Sequence, residues 1–304
     1  MQIYLPIAEM AVPAESIFVV SAFVGFLSSL FGVGGGFLAT PFMIFIGIPP
    51  AVAVGTQPCQ IAANGVAGVL GHLRKGHVDM KMGSIMLAGS IGGSVIGIML
   101  FKVLEYFGQI DFAISVLYIV LLGFIGTMMF FESIMVLFVR RKSVRAEFNS
   151  FNVSSFVARL PFKMRFPRSK LYISALLPAG VGFVGGILAG ILGIGGAFIL
   201  VPAMIYIIGM PGLMVAGTSL FQVVFTTSFA TILHAVANQT VDAVLAVVMI
   251  AGGVIGARIG IIFTQYIKGA HARIILATLI LIVCVQLSSH LFMEPDDLFS
   301  TVLR

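Results

Sequence analysis

Three polar side chains recur at four-residue intervals within an apolar stretch, at Thr56, Gln60 and Asn64. This spacing places all three on one face of a helix. The pattern returns 162 residues later, at Thr218, Gln222 and Thr226. In a membrane, such amides and hydroxyls either hold helices together or line a polar path. Because two such stripes are present, we predict that they line a substrate path. The neighbouring polar residues Gln57 and Ser219 are included among the substrate-binding candidates.

A run of glycines precedes each stripe, Gly34, Gly35 and Gly36 in one half and Gly195 and Gly196 in the other. A helix that restarts after such a break exposes unpaired backbone N–H groups, which attract anions. Glycine also lets the backbone approach an oxyanion without a Cβ atom in the way. Close packing of helices through small residues is the alternative interpretation. Paired interruptions in two halves favour a transporter's substrate site, and we predict that these glycines bind an anion.

Arg258 is a cation inside a predicted membrane span, where charged residues are functional candidates. We include it among the substrate-binding residues, although its long side chain could instead extend to the membrane surface. His72 and His234 fall at the ends of the stripe-bearing helices, and we expect structural roles near the surface. Sequence patterns for nucleotide hydrolysis, zinc peptidases and serine hydrolases are missing. We therefore predict no catalytic residue, metal site or cofactor.

The composition indicates a membrane protein. Hydrophobic residues make up 60% of the chain and charged residues 9%. No Asp, Glu, Lys or Arg lies between Glu15 and Arg74, or between Lys170 and Asp242. A membrane span needs about 20 apolar residues, so each uncharged stretch holds two or three segments. The predicted fold is an all-α polytopic helical membrane protein with about 8–10 membrane segments.

The chain consists of two related halves. The segment from Phe31 to Pro41 returns in altered form from Leu192 to Pro202. We divide the chain into a first repeat at 1–139, a basic connector at 140–170 and a second repeat at 171–304. Each repeat is predicted to contain a long helix, the glycine break, a short helix, a third helix after a proline turn, and two further spans.

Loop charges predict that the two repeats are inverted. The loop His72–Lys81 is basic, whereas the corresponding loop Ala235–Asp242 contains no Lys or Arg. In the next pair of corresponding connectors, the more basic loop is in the second half instead. Corresponding loops are therefore predicted to face opposite sides of the membrane, with both termini outside. The competing hypothesis has parallel repeats with four crossings each. The two hypotheses differ on whether the short helices Phe37–Ile48 and Ala197–Ile208 cross the membrane.

The connector holds nine Lys and Arg residues against one Glu. Nucleic acid is one partner for such a cluster, but basic loops beside membrane spans typically remain in the cytoplasm. Apolar residues between Phe148 and Leu160 could place this loop on the anionic inner leaflet as a short interfacial helix. We therefore predict a lipid partner and no nucleic acid.

The duplicated motif resembles the TauE/SafE sulfite exporter family of membrane proteins. The resemblance is carried by Gly32–Pro41 with Gly55-Thr56, and by Gly193–Pro202 with Gly217-Thr218. It covers nearly the whole chain except the connector. The resemblance implies transport of sulfite, sulfonates, related sulfur oxyanions or organic acids. Ala197 occupies the position of Gly36, so the two half-sites need not be equivalent.

These features predict a secondary transporter in a bacterial inner membrane. It would export sulfite or a related small organosulfonate or sulfur oxyanion by alternating access between the repeats. Export of an anion from a negative interior is favourable by about 2.3 kcal/mol per charge per 100 mV, so no coupling cation is required. One alternative is import of an organic acid. Another is a membrane-embedded sulfur-handling enzyme or subunit that serves a soluble partner, with Cys59 as its candidate nucleophile.

Overall fold

The computed structural model describes residues 2–31, 36–138, 161–264 and 269–292. The first repeat contains α1 (Ala14–Phe31), α2 (Gly36–Phe45), α3 (Pro50–Arg74), α4 (Met80–Tyr106) and α5 (Ile110–Phe138). The second contains α6 (Leu176–Leu192), α7 (Ala197–Tyr206), α8 (Gly212–Leu233), α9 (Ala243–Thr264) and α10 (Gly269–Phe292). The predicted interfacial helix of the connector lies outside the described residues.

The helical membrane fold is confirmed. Within the described ranges, four helical stretches are long and apolar enough to cross a membrane: Met80–Tyr106, Ile110–Phe131, Met214–Asn238 and Ala243–Phe263. Shorter apolar stretches cover Ala14–Ser29, Gly36–Phe45, Leu176–Leu192 and Ile274–Ser289. Exposed apolar side chains such as Phe124 and Val247 fit a lipid-facing surface.

Two β-hairpins, which an all-α fold does not include, precede α1 and α6. Strand β1 (Gln2–Leu5) pairs antiparallel with β2 (Met10–Pro13), and β3 (Lys163–Phe166) pairs with β4 (Leu171–Ser174). Both turns contain a proline and end on a residue with positive φ, 51° at Glu9 and 54° at Lys170. These matching turns show that the hairpins are equivalent, although β3 begins within the stretch 140–170 assigned to the connector.

The predicted proline turns lead from each short helix into a long one. Pro49 and Pro211 precede α3 and α8 with φ values of −53° and −60°, which the proline ring fixes. Gly47 and Gly209 end the preceding segments in the left-handed region, at φ 95° and 75°. The short helices α2 and α7 span 10 residues each, slightly less than the sequence predicts.

Helices α3 and α8 occupy equivalent places in the repeats and pack antiparallel. Gly217, at the start of α8, lies against His72 at the end of α3 and against His77 in the loop that follows. Gly55, at the start of α3, lies against Thr240 just after α8. The pair α5 and α10 also runs antiparallel. Equivalent helices that run antiparallel are the arrangement that inverted repeats require.

Glycine-lined contacts join the two repeats along their other long helices. Helix α1 runs parallel to α9, and α4 runs parallel to α6. A Cβ atom on Gly186 of α6 would overlap the carbonyl oxygen of Ser90 on α4. A Cβ atom on Gly256 of α9 would likewise overlap the carbonyl oxygen of Ala22 on α1. Small residues allow this close approach of helix backbones in membranes.

A π-helical turn at His234–Asn238 extends α8 and accounts for a difference in length between the repeats. The interval from His72 to Asp79 is one residue shorter than that from His234 to Asp242. A single π turn accommodates such an extra residue. His234 is fully buried, its Nε2 lies 2.9 Å from the carbonyl oxygen of Gly190, and it therefore packs in the interior instead of at the expected membrane surface.

Candidate functional site

Both glycine breaks contact α3 close to where it crosses α8. Gly36 lies against Ile61, and a Cβ atom at Gly36 would stand 3.5 Å from Nε2 of Gln57. A Cβ atom at Gly195 would stand 3.5 Å from Ile61 and 2.7 Å from Cγ2 of Thr227 on α8. Ile61 therefore lies next to both breaks. Gly34 and Gly35 lie outside the described residues.

The second break has the backbone geometry that glycine permits. Gly195 and Gly196 have φ values of 67° and 71°, in the left-handed region that other residues rarely adopt. Helix α7 begins directly afterwards at Ala197, so its first N–H groups lie at the break. The carbonyl oxygen of Leu192, at the end of α6, accepts a 2.6 Å hydrogen bond from the Tyr118 hydroxyl. The break thus combines an ordered helix end with a helix start suited to anions.

Gln57, Gln60 and Asn64 are called the α3 stripe from here on, with Gln57 added and Thr56 of the predicted row described separately below. Gln60 and Asn64 face α9, and Gln57 lies beside Gly36. Nε2 of Gln60 donates a 2.9 Å hydrogen bond to the carbonyl oxygen of Met249. A Cβ atom at Gly253 would stand 2.6 Å from both Nε2 of Gln60 and Nδ2 of Asn64, so the glycine leaves room for these amides. The side-chain oxygens of all three stripe residues have no hydrogen-bond partner within the described part of the chain.

The α8 stripe, defined as Ser219, Gln222 and Thr226, faces α4 and is more fully paired. Nε2 of Gln222 donates to Oγ1 of Thr226 over 3.0 Å, and Thr226 Oγ1 lies 2.7 Å from the Ser90 hydroxyl. Ser219 donates to the carbonyl oxygen of Ala216. Ser90 of α4 occupies the position that corresponds to Gly253 of α9. Its hydroxyl is a hydrogen-bond partner for the α8 stripe, whereas Gly253 has no side chain to offer the α3 stripe. The stripe residues are buried except Asn64, which is partly buried, and the two stripes contact different helices.

Thr56 and Thr218 join the two repeats to each other. Oγ1 of Thr56 accepts a 3.0 Å hydrogen bond from the backbone N–H of Asp242, and Oγ1 of Thr218 accepts one of 3.0 Å from Asp79. These contacts lie at opposite ends of the antiparallel pair α3 and α8. Both threonine oxygens are therefore engaged in contacts between the repeats.

Asp79 and Asp242 are buried acids that the sequence prediction treated only as loop charges. Oδ2 of Asp79 accepts hydrogen bonds from the backbone N–H and the hydroxyl of Ser169, at 3.1 and 2.6 Å. Oδ2 of Asp242 accepts a 3.0 Å bond from the N–H of Ile7. In each case the hairpin turn of one repeat is hydrogen-bonded to the Asp side chain of the other repeat. We call these contacts the Asp79 joint and the Asp242 joint.

The joints also cap helices. Oδ1 of Asp79 accepts a hydrogen bond from the N–H of Met82 at the start of α4. Oδ1 of Asp242 accepts bonds from the N–H groups of Val244 and Leu245 at the start of α9. A Val-Asp pair stands at both equivalent positions, and this repetition is the sequence signal that could have identified the joints.

Replacing either acid by alanine should lower stability strongly. Asp79→Ala and Asp242→Ala each remove a helix cap and a bond to a hairpin, so we expect losses of about 2–4 kcal/mol. Thermal melting of the purified protein in detergent measures this. Asp111→Ala is the control, because its carboxylate is exposed and, among the described residues, accepts a single 3.2 Å bond, from Ala51. Equal melting temperatures for all three variants would contradict the structural role of the joints.

Arg258 is not brought to either stripe. Its side chain is exposed on α9, in the direction that lipid or the membrane surface would occupy. Cys59 is partly buried on α3. Across the described ranges, no group of three or more His, Cys, Asp and Glu residues could hold a metal ion.

Comparison with known proteins identifies the family. The model of the family described as "Sulfite exporter TauE/SafE" matches residues 17–287. A "Probable membrane transporter protein" of Xylella fastidiosa (strain 9a5c) is 30% identical over 82% of this chain and 84% of its own length. A "Probable membrane transporter protein YjnA" of Bacillus subtilis (strain 168) is 28% identical over 88% of this chain and 96% of its own length. No solved structure matches the chain. The chain, with its duplicated glycine breaks, therefore belongs to the TauE/SafE sulfite exporter family and is a multi-pass membrane protein of a transporter family.

Proposed function

We propose that the protein exports sulfite or a related small sulfur oxyanion or organosulfonate across a bacterial inner membrane. The observation that carries this proposal is the position of the two glycine breaks, because Gly36 and Gly195 both lie next to the buried side chain of Ile61. N–H groups at the start of α7 suit an anion, and the buried amides of the two stripes supply polar contacts. Membership of a family described as sulfite exporters supports sulfite as the first substrate to test.

Alternating access would use the two joints as contacts at opposite ends. The Asp79 joint is the stronger, because Ser169 contributes two hydrogen bonds and Arg168 donates a third, of 2.8 Å, to the carbonyl oxygen of Val78. The equivalent hairpin residues, Ala8 and Ile7, have side chains that cannot donate hydrogen bonds. We therefore propose that the Asp242 end opens more readily than the Asp79 end.

Charge supports a cytoplasmic position for the Asp79 end. Nζ of Lys81 donates to the carbonyl oxygen of Arg165, which brings the basic hairpin β3–β4 against the basic loop after α3. Glu9 occupies the place of Lys170 at the other end, and basic segments remain in the cytoplasm. The connector then lies inside, next to the anionic leaflet.

This orientation predicts where reporters will be active. A reporter that functions only in the cytoplasm should be silent at the C-terminus and active when inserted near Asn152. The physical reason is that antiparallel repeats leave both chain ends on the side opposite the connector. Fusions of both kinds in living cells measure this. A cytoplasmic signal from the C-terminal fusion would favour parallel repeats.

Binding to the purified protein tests the proposed function. Calorimetry with sulfite, thiosulfate, ethanesulfonate and acetate should show saturable binding of sulfur anions and weaker binding of acetate. Cys59→Ser should bind sulfite like the wild type, because the proposed site requires no nucleophile. Preference for acetate would favour an organic-acid carrier. Loss of sulfite binding in Cys59→Ser alone would favour a sulfur-handling enzyme or subunit.

A further inference from the structure

The α3 stripe contains three side-chain oxygens that have no hydrogen-bond donor opposite them. The oxygens Oε1 of Gln57, Oε1 of Gln60 and Oδ1 of Asn64 are buried and have no partner among the described residues. Gln57 and Gln60 are each 1% exposed. Buried polar atoms are normally paired, because an unpaired acceptor in an apolar interior is unfavourable. A ligand that donates hydrogen bonds would satisfy these oxygens.

The orientation of the Gln60 amide is fixed by its surroundings. Its Nε2 donates to the carbonyl oxygen of Met249, and a reversed amide would place two oxygens against each other. Oε1 of Gln60 is therefore an acceptor, whichever way the amide groups of Gln57 and Asn64 are turned. Gln57, one turn earlier, lies beside the break at Gly36. This places acceptors close to the backbone that is proposed to hold the anion.

The α8 stripe differs in the way this interpretation requires. Its hydroxyl residues Ser219 and Thr226 are already paired within the protein, with Ala216 and Ser90. Only Oε1 of Gln222 has no partner there within the described segments. The excess of acceptors is therefore a property of the α3 side, and the two half-sites offer different chemistry to one substrate.

We infer that the α3 stripe selects a sulfur oxyanion that carries at least one O–H group, such as hydrogen sulfite or a hydroxysulfonate. This inference rests on the proposed function. Backbone N–H groups at the breaks would hold the charged oxygens, and the stripe would accept the O–H. A fully deprotonated dianion would instead place its lone pairs against the amide oxygens. Of the two charged forms of sulfite, the stripe would therefore prefer singly charged hydrogen sulfite, and anions without an O–H group would bind more weakly.

Two sulfonates that differ by one hydroxyl test this inference without changing charge. Binding of 2-hydroxyethanesulfonate and ethanesulfonate to the full-length protein should differ by about tenfold or more in favour of the hydroxylated compound. Gln60→Leu and Gln57→Leu should each bring this ratio close to one. Gln286→Leu, the same change on the exposed face of α10, should leave the ratio unchanged.

The outcomes separate this inference from the proposed function. Equal affinities for the two sulfonates in the wild type, with normal sulfite binding, would overturn the inference alone. An unchanged ratio in a folded Gln57→Leu or Gln60→Leu protein would also overturn it. Absence of binding for sulfite and both sulfonates would overturn the proposed function and, with it, the inference. Within the described part of the chain Gln57 makes no hydrogen bond to another helix, so its variant remains informative should Gln60→Leu unfold.

Discussion

Gly186→Ala should prevent stable packing of α6 against α4, whereas Gly180→Ala on the same helix should leave stability almost unchanged. A Cβ atom at Gly186 would overlap the Ser90 carbonyl oxygen, which belongs to the backbone and cannot rotate away. A Cβ atom at Gly180 would meet open space. Overpacking typically costs about 1–3 kcal/mol, and we expect at least the upper end of that range here.

Thermal melting and size-exclusion chromatography in detergent measure this difference. The Gly186→Ala protein should melt far below the wild type or be recovered as aggregate. Gly180→Ala should match the wild type, because alanine is also the better helix former. Similar melting of both variants would show that α4 and α6 are farther apart in the membrane than in this packing.

Gly195→Val should abolish transport while leaving the protein inserted in the membrane. Valine disfavours the left-handed conformation at φ 67°, and its Cβ would lie 2.7 Å from Cγ2 of Thr227. The substitution would therefore fill the space between the break and α8. We expect sulfite flux at the level of protein-free vesicles.

Gly209→Val is the matched control, because Gly209 also has a positive φ, 75°, but a Cβ atom there meets open space. Both variants carry similar backbone strain, and only one lies at the proposed site. Flux in Gly209→Val, scaled to the amount of folded protein, should be close to that of the wild type. Equal flux in both variants would show that the second break is a packing feature.

The sequence predicts the helical fold because long uncharged stretches, glycine runs and prolines are local signals. The breaks and the proline turns at Pro49 and Pro211 follow from the backbone preferences of single residues. The hairpins were missed because four-residue strands have too short a pattern to separate from loops. Phe166 is fully buried, yet its segment lies beside a basic stretch that suggests exposure.

The role of the candidate site residues stays a prediction. Helical spacing predicts that each polar row shares one helix face, but the hydrogen-bond pairing depends on what lies opposite. The contrast between Gly253 and Ser90 decides which stripe keeps free acceptors, and nothing within α3 or α8 indicates it. The joint acids were missed because Asp79 stands among basic residues that resemble an ordinary loop. Their pairing with Ser169 and Ile7 exists only in the folded chain.

Sulfite flux through the purified protein tests the proposed export most directly. Proteoliposomes loaded with labelled sulfite should release it in a saturable manner, faster when the vesicle interior is negative. An anion leaving a negative interior gains about 2.3 kcal/mol per charge per 100 mV, so the flux should rise with the imposed potential. Cys59→Ser vesicles should release sulfite at the wild-type rate. The proposal would be contradicted if the protein binds sulfite but its vesicles release sulfite no faster than protein-free vesicles.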